Sequence, residues 1–288
     1  MRAIVAVVMS RRIRRLALAG PFALTAFAIM IGVLAPTGAQ AADVPTIAAA
    51  SSMQYALTDL SAEFRRETGH EVRLAFGASG NLRRQIADGA PFELFLSADE
   101  GYADALVRDK RTLDAGTVYA VGRLALFVPN GSPIKLDATL ADLGAALDDG
   151  RLRKLAIANP ELAPYGRAAQ QALERAGLWK RAEAHLVLGE NISQAAQFAA
   201  SGAAQAGIIA YSLTREPGIA ERGRFVLLPA CDHAPLAQKM VLLKGASATA
   251  RAFAAFVQSP KARAIFARYG FEAPGARSAA NHGATPAG

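Results

Sequence analysis

The chain has a single cysteine, Cys231, so no intramolecular disulfide can hold it together. It has only four histidines, and "CDH" (Cys231–His233) has no partner residues at zinc-ligand spacing. That short stretch is expected to be a plain loop, and no direct metal coordination is expected. Aromatic residues make up 7% of the chain. Nowhere do they interleave with clustered Lys and Arg as a base-stacking surface requires, which excludes nucleic acid as a partner. Acidic residues are missing altogether from the first 41 positions.

That local absence identifies a distinct segment. Met1–Arg15 carries Arg2, Arg11, Arg12, Arg14 and Arg15 without a countercharge, and Leu16–Ala35 is almost wholly apolar. "TGAQAAD" then offers an Ala-x-Ala site at Ala39–Ala41. A basic start, an apolar middle and small residues at a cut site describe a secretory signal peptide over residues 1–41, cleaved near Ala41. The apolar run is also long enough to span a bilayer, but the cleavage site decides for export. "SRRIRR" lacks the Phe-Leu that a twin-arginine signal would add, so the choice of export route stays open. The five arginines account for five of the formal +8, leaving +3 on the mature chain. Cys231 lies far from the cut site and cannot be a lipidated first residue. A periplasmic protein, acting as a monomer, is expected.

The mature chain alternates short apolar runs with amphipathic helices. "TIAAA" (Thr46–Ala50), "EVRLAF" (Glu71–Phe76) and "FELFLSA" (Phe92–Ala98) read as strands. Met53, Ala56, Leu57, Leu60 and Phe64 fall at helical spacing, with Gly69 where a helix end favours glycine. Asp99 is placed to cap the helix that follows it. The rhythm resumes with "KLAIANP", "HLVLGE" and "AGIIA". Such alternation predicts an α/β protein whose mostly parallel sheets are flanked by helices. The long extended patterns near 117–130 and 224–243 are natural crossover strands between two lobes. The first lobe is expected over 42–121 plus 229–274, the second over 122–228, and a disordered tail over 275–288. No internal sequence repeat is visible.

Four strand-to-helix junctions share one chemistry: "AAASS" (Ala48–Ser52), "FGASGN" (Phe76–Asn81), "NPELAPYG" (Asn159–Gly166) and "GENISQ" (Gly189–Gln194). They are rich in small residues, hydroxyls and amides, and none carries Lys or Arg at the turn. In open α/β sheets ligands bind beyond the carboxyl ends of the strands, where helix starts expose unpaired N–H groups. Several such starts converging on one cleft would make an anion site from neutral donors. Helix capping alone would equally account for Ser51, Ser79, Asn81 or Asn191 taken singly.

"AAASSMQYAL", "FGASGNLRRQIADGAPFELFLSADE", "LAIANPELAPYGRAAQQAL" and "SPKARAIFARYGF" closely resemble the molybdate-binding proteins of bacterial ABC importers, collinearly from Thr46 to Phe271. The resemblance implies a two-lobed type II periplasmic binding fold that closes over a tetrahedral oxyanion, molybdate or tungstate. It also implies an inner-membrane ABC permease as partner, no cofactor and no catalysis. Carried over by motif, the oxyanion ligands would be Ser51, Ser79, Tyr165 and Ile192. Tyr165 would act through its backbone N–H, its phenol, or both; Ser52 would either cap its helix or add a donor. Relatives with a tyrosine in "G-I-V-Y-G" find Ala210 at that position here, with Tyr211 displaced by one, so Tyr211 is expected to pack rather than bind. Arg167, one turn inside its helix, could face the ligand or solvent. A sulfate or thiosulfate binder is the nearest alternative. A serine hydrolase is a distant one, because G-x-S-x-G is absent and His70 is poorly placed as a base.

Overall fold

The computed structural model describes residues 44–275. The expected export segment, residues 1–41, lies outside them, as does the expected tail 275–288 except for Gly275.

The first half-lobe alternates β1 (Thr46–Ala50), α1 (Gln54–Thr68), β2 (Arg73–Gly77), α2 (Ser79–Ala87), β3 (Phe92–Ser97) and α3 (Glu100–Arg108), and ends in β4 (Thr117–Gly122). A second run follows with β5 (Leu124–Pro129), α4 (Ala141–Asp148), β6 (Leu155–Ala158), α5 (Pro164–Arg175), the short α6 (Trp179–Ala182), β7 (Leu186–Gly189) and α7 (Ile192–Ala200). After it come β8 (Ala206–Ala210), the short α8 (Pro217–Ala220) and β9 (Gly223–Leu227). The chain then returns through β10 (Leu236–Leu242) to α9 (Ala248–Val257) and α10 (Pro260–Arg268).

The strands form two five-stranded sheets, ordered β2-β1-β3-β10-β4 and β7-β6-β8-β5-β9. In each, two pairings are parallel and two antiparallel. The expectation of mostly parallel sheets therefore holds for the βαβ part of each lobe. Only β10 in the first sheet and β5 in the second run the other way, each lying between the βαβ set and an outer strand, β4 or β9, that points with that set. Both sheets repeat one topology although no sequence repeat betrays it. "TVYAVGRLALFVPN" is two strands, not one: β4 ends at Gly122 in the first sheet and β5 starts at Leu124 in the second. The join is steadied from the chain's far end, where Val121 and Glu272 exchange backbone hydrogen bonds and the Glu272 carboxylate lies 2.6 Å from Arg123 Nη1.

Local sequence accounts for the placement. Ile47, Ala48 and Ala49 are fully buried, as a strand covered on both faces requires. The predicted apolar stripe of α1 is buried along its length, and Phe64 meets Phe253 edge-on at 5.2 Å. Gly69 ends α1 in the left-handed conformation (φ 73°), its N–H donating to Arg65 O. Asp99 caps α3 as predicted, accepting from the Tyr102 N–H. Among the described residues no helix is long and apolar enough to cross a membrane. Cys231 is exposed and unpaired.

Candidate functional site

The carboxyl ends of β1, β2 and β3 face those of β6 and β7 across the gap between the sheets. There a small cavity is lined by Ala50, Ser51, Ser52, Gly77, Ala78 and Ser79 from one side, and by Ala163, Pro164, Tyr165 and Ile192 from the other. All four junctions singled out in the sequence meet at this point. Ala98, at the end of β3, also lines it and was not foreseen. No charged side chain lines it.

The hydroxyls are set as donors. Ser79 Oγ accepts the Ala98 N–H at 3.0 Å, and Ser51 Oγ accepts the Ser193 N–H at 3.4 Å. A hydroxyl whose oxygen is engaged by an N–H keeps its own proton free, here for the cavity. Ser52 Oγ and Tyr165 Oη are buried without a hydrogen-bond partner. Burial holds the Tyr165 phenol far above the ordinary tyrosine range, a shift that the neighbouring Ser52 hydroxyl only partly opposes. The phenol therefore stays protonated across the physiological range. Tyr165 and Ile192 sit in the first turns of α5 and α7, where N–H groups have no intrahelical acceptor.

Capping does not explain the serines. Ser79 is the first helical residue of α2, behind an Ala78 N-cap, and Ser51 opens a single 3-10 turn behind Ala50. Neither hydroxyl bonds its own helix. Asn191 is a true cap, accepting from the Ser193 and Gln194 N–H groups at 3.0 and 3.1 Å. Asn81 caps nothing and instead reaches Glu190 across the cleft at 2.9 Å. Tyr211 lies away from the cavity, its ring against Phe225 and Gly270.

The two lobes are in direct contact around the cavity. Ser193 Oγ donates to Ser51 O at 3.0 Å and Ser212 Oγ to Ser52 O at 2.7 Å. The Gly80 N–H donates to Leu162 O at 2.9 Å. Arg167 does not line the cavity; partly exposed at its edge, it bonds the Tyr102 hydroxyl at 2.8 Å and pairs with the Asp99 carboxylate, both in the opposite lobe. Sequence reasoning missed Ser193, Ser212 and Gly80. Gly80 and Ser193 lie inside junctions the sequence singled out, but their partners, like that of Ser212, lie on the other side of the cleft, and no local pattern marks those bonds.

Residues 45–272 match the family model described as bacterial extracellular solute-binding protein. The chain is 36% identical over 255 residues to the molybdate-binding protein ModA of Azotobacter vinelandii, covering 87% of this chain and 98% of that one. It is 38% identical over 250 residues to ModA of Rhodobacter capsulatus, covering 86% and 94%. Among solved structures, the periplasmic molybdate-binding protein of Azotobacter vinelandii superposes with a TM-score of 0.72 at 31% identity, covering 80% of this chain and 99% of that one.

Proposed function

From the premise that this chain belongs to the bacterial extracellular solute-binding proteins, and among them to the molybdate-binding proteins, we propose that the cavity between its lobes holds molybdate for delivery to an ABC permease. The observation that carries this reading is a site between the lobes built only of neutral donors, two of them the neighbouring buried hydroxyls of Ser52 and Tyr165, which no other protein group satisfies. An unpartnered buried polar group is costly, and a dianion that accepts from it removes the cost.

Ser51, Ser52 and Ser79 supply hydroxyls from the first lobe; Tyr165 and Ile192 supply N–H groups from the second, with the Tyr165 phenol beside them. Five to seven such bonds, each about 1.5–3 kcal/mol to a charged acceptor, exceed the roughly −8 kcal/mol of a micromolar complex even after a large desolvation cost. Because the donors come from both lobes, the bound anion favours the closed form over the open one by its own contacts. Tungstate has the same charge and nearly the same size, so this donor ring accepts it as well. Sulfate is smaller, and a ring already braced by bonds between the lobes cannot contract around it without strain. No carboxylate lines the cavity to accept the proton of hydrogen phosphate.

In this reading the protein is periplasmic after removal of residues 1–41, acts as a monomer, and needs no cofactor. It is a carrier, not an enzyme: none of the described histidines lines the cavity to serve a serine nucleophile as base. Isothermal titration with molybdate and with sulfate tests the assignment. Molybdate is expected to bind at micromolar or tighter affinity and sulfate far more weakly. Equal affinities would assign the site to a general oxyanion carrier instead.

A further inference from the structure

Tyr165 belongs to the second lobe, yet its hydroxyl ends against the first. A methyl group added at Gly122 would overlap the Tyr165 hydroxyl and stand 3.0 Å from its Cζ. Gly122 is the last residue of β4, where the chain leaves the first sheet. It is paired there with Leu236 of β10. The other wall of this slot is the Gln238 amide, whose Nε2 lies 3.1 Å from the same point and donates to Ala98 O at 3.2 Å and Leu236 O at 3.0 Å. Gln238 is fully buried and held by those two carbonyls, so this wall cannot yield cheaply.

Gly122 does not adopt a left-handed conformation, since it is absent from the residues of positive φ. A strand position of ordinary backbone geometry gains nothing from glycine's conformational freedom. What remains is space. Glycine inside a strand marks a close approach by another group, and here that group is a phenol with no partner of its own.

We propose that Gly122 is the positioning residue for Tyr165: its missing side chain is the slot that lets a second-lobe phenol reach the anion cavity and rest on the hinge strand of the first lobe. A side chain at position 122 would push the hydroxyl out of line with the cavity, and so weaken ligand binding although Gly122 itself does not line the cavity. This inference rests on the cavity being the molybdate site.

The test is a double-mutant cycle of Gly122→Ala and Tyr165→Phe, read by isothermal titration with molybdate and by melting temperature without ligand. Tyr165→Phe is expected to weaken molybdate binding roughly 10- to 100-fold, the worth of one hydrogen bond to a charged acceptor. Gly122→Ala is expected to weaken it at least as much in the tyrosine background. In the phenylalanine background, where the oxygen that overlaps the methyl is gone and only the 3.0 and 3.1 Å contacts remain, the same change is expected to cost markedly less. The melting temperature should show the same coupling, with Tyr165→Phe restoring most of what Gly122→Ala removes. Equal cost of Gly122→Ala in both backgrounds, or a Gly122→Ala protein that binds as the parent does, would overturn the slot while leaving the molybdate site intact. Coupled melting temperatures in a parent protein that takes no molybdate would overturn the site reading, and with it the ligand-positioning role, while leaving the steric contact standing.

Discussion

A serine hydroxyl has one proton to give and lone pairs to accept with, and the three serines of the cavity divide those capacities differently. Ser79 uses its oxygen for the Ala98 N–H, so it both supports the end of β3 and offers a proton to the cavity. Ser52 makes no protein bond through its hydroxyl at all. The two should therefore respond differently to removal. Ser79→Ala is expected to lose about 1–3 kcal/mol of molybdate affinity and also some ligand-free stability, because the Ala98 N–H is left buried without an acceptor. Ser52→Ala is expected to lose affinity while its ligand-free melting temperature stays level or rises, since an orphaned polar atom disappears. Titration calorimetry beside thermal melts reads both quantities. A Ser79→Ala protein of unchanged affinity would remove that hydroxyl from the ligand shell.

At the scale of elements, α2 meets the loop before α5 across the cleft, where the Gly80 N–H donates to Leu162 O at 2.9 Å. A methyl group at Gly80 would stand 2.8 Å from both Leu162 O and the Tyr102 hydroxyl. Gly80→Ala should favour α2 itself by up to about 1 kcal/mol, helix propensity alone considered. It should nonetheless hold the lobes apart by a few tenths of an ångström and weaken molybdate binding several-fold. Affinity falling while the ligand-free melting temperature holds or rises is the expected pattern; unchanged affinity would mean that this contact does not limit closure. The sequence announced the helix starts here but not their closeness. Small residues and hydroxyls at four junctions are a local signal, and it led to Ser51, Ser79, Tyr165 and Ile192 at one cavity. The bonds of Ser193 to Ser51 and of Ser212 to Ser52 join residues more than 140 positions apart, and either serine alone reads as an ordinary polar residue beside a helix start. The same limit merged β4 with β5. Two strands in line share one unbroken extended pattern, and only pairing with distant strands reveals that Arg123 separates two sheets.

For the molecule as a whole, the crossover region is where charge and burial meet. Arg123 is held there by Glu272, with its Nε buried and unpartnered. His233, on the returning connection between β9 and β10, is buried with Nδ1 2.8 Å from Ala234 O and Nε2 unpartnered. Burial is the main cause that pushes the His233 imidazole below its ordinary 6.5; the positive charge of Arg123 adds to it, while the Ala234 carbonyl and Asp232 oppose it. The folded protein therefore binds this proton less readily than the unfolded chain does. Its contribution to stability is complete above pH 6.5 and is lost as pH falls from there through the lower folded value. Glu63, held at about 2 by its hydrogen bonds to Arg66 and Lys261, acts only in a more acidic window, below its ordinary 4.5. The two effects can thus be separated. Ligand-free melting temperature is expected to decline between pH 6.5 and 5 in the parent protein, and to stay nearly level over that interval in His233→Gln, which keeps a donor for the Ala234 carbonyl without a titrating ring. Below pH 4.5 both proteins should lose stability in parallel as Glu63 becomes protonated. Identical slopes for the two proteins between pH 6.5 and 5 would show that the acid sensitivity of the crossover arises elsewhere than at His233.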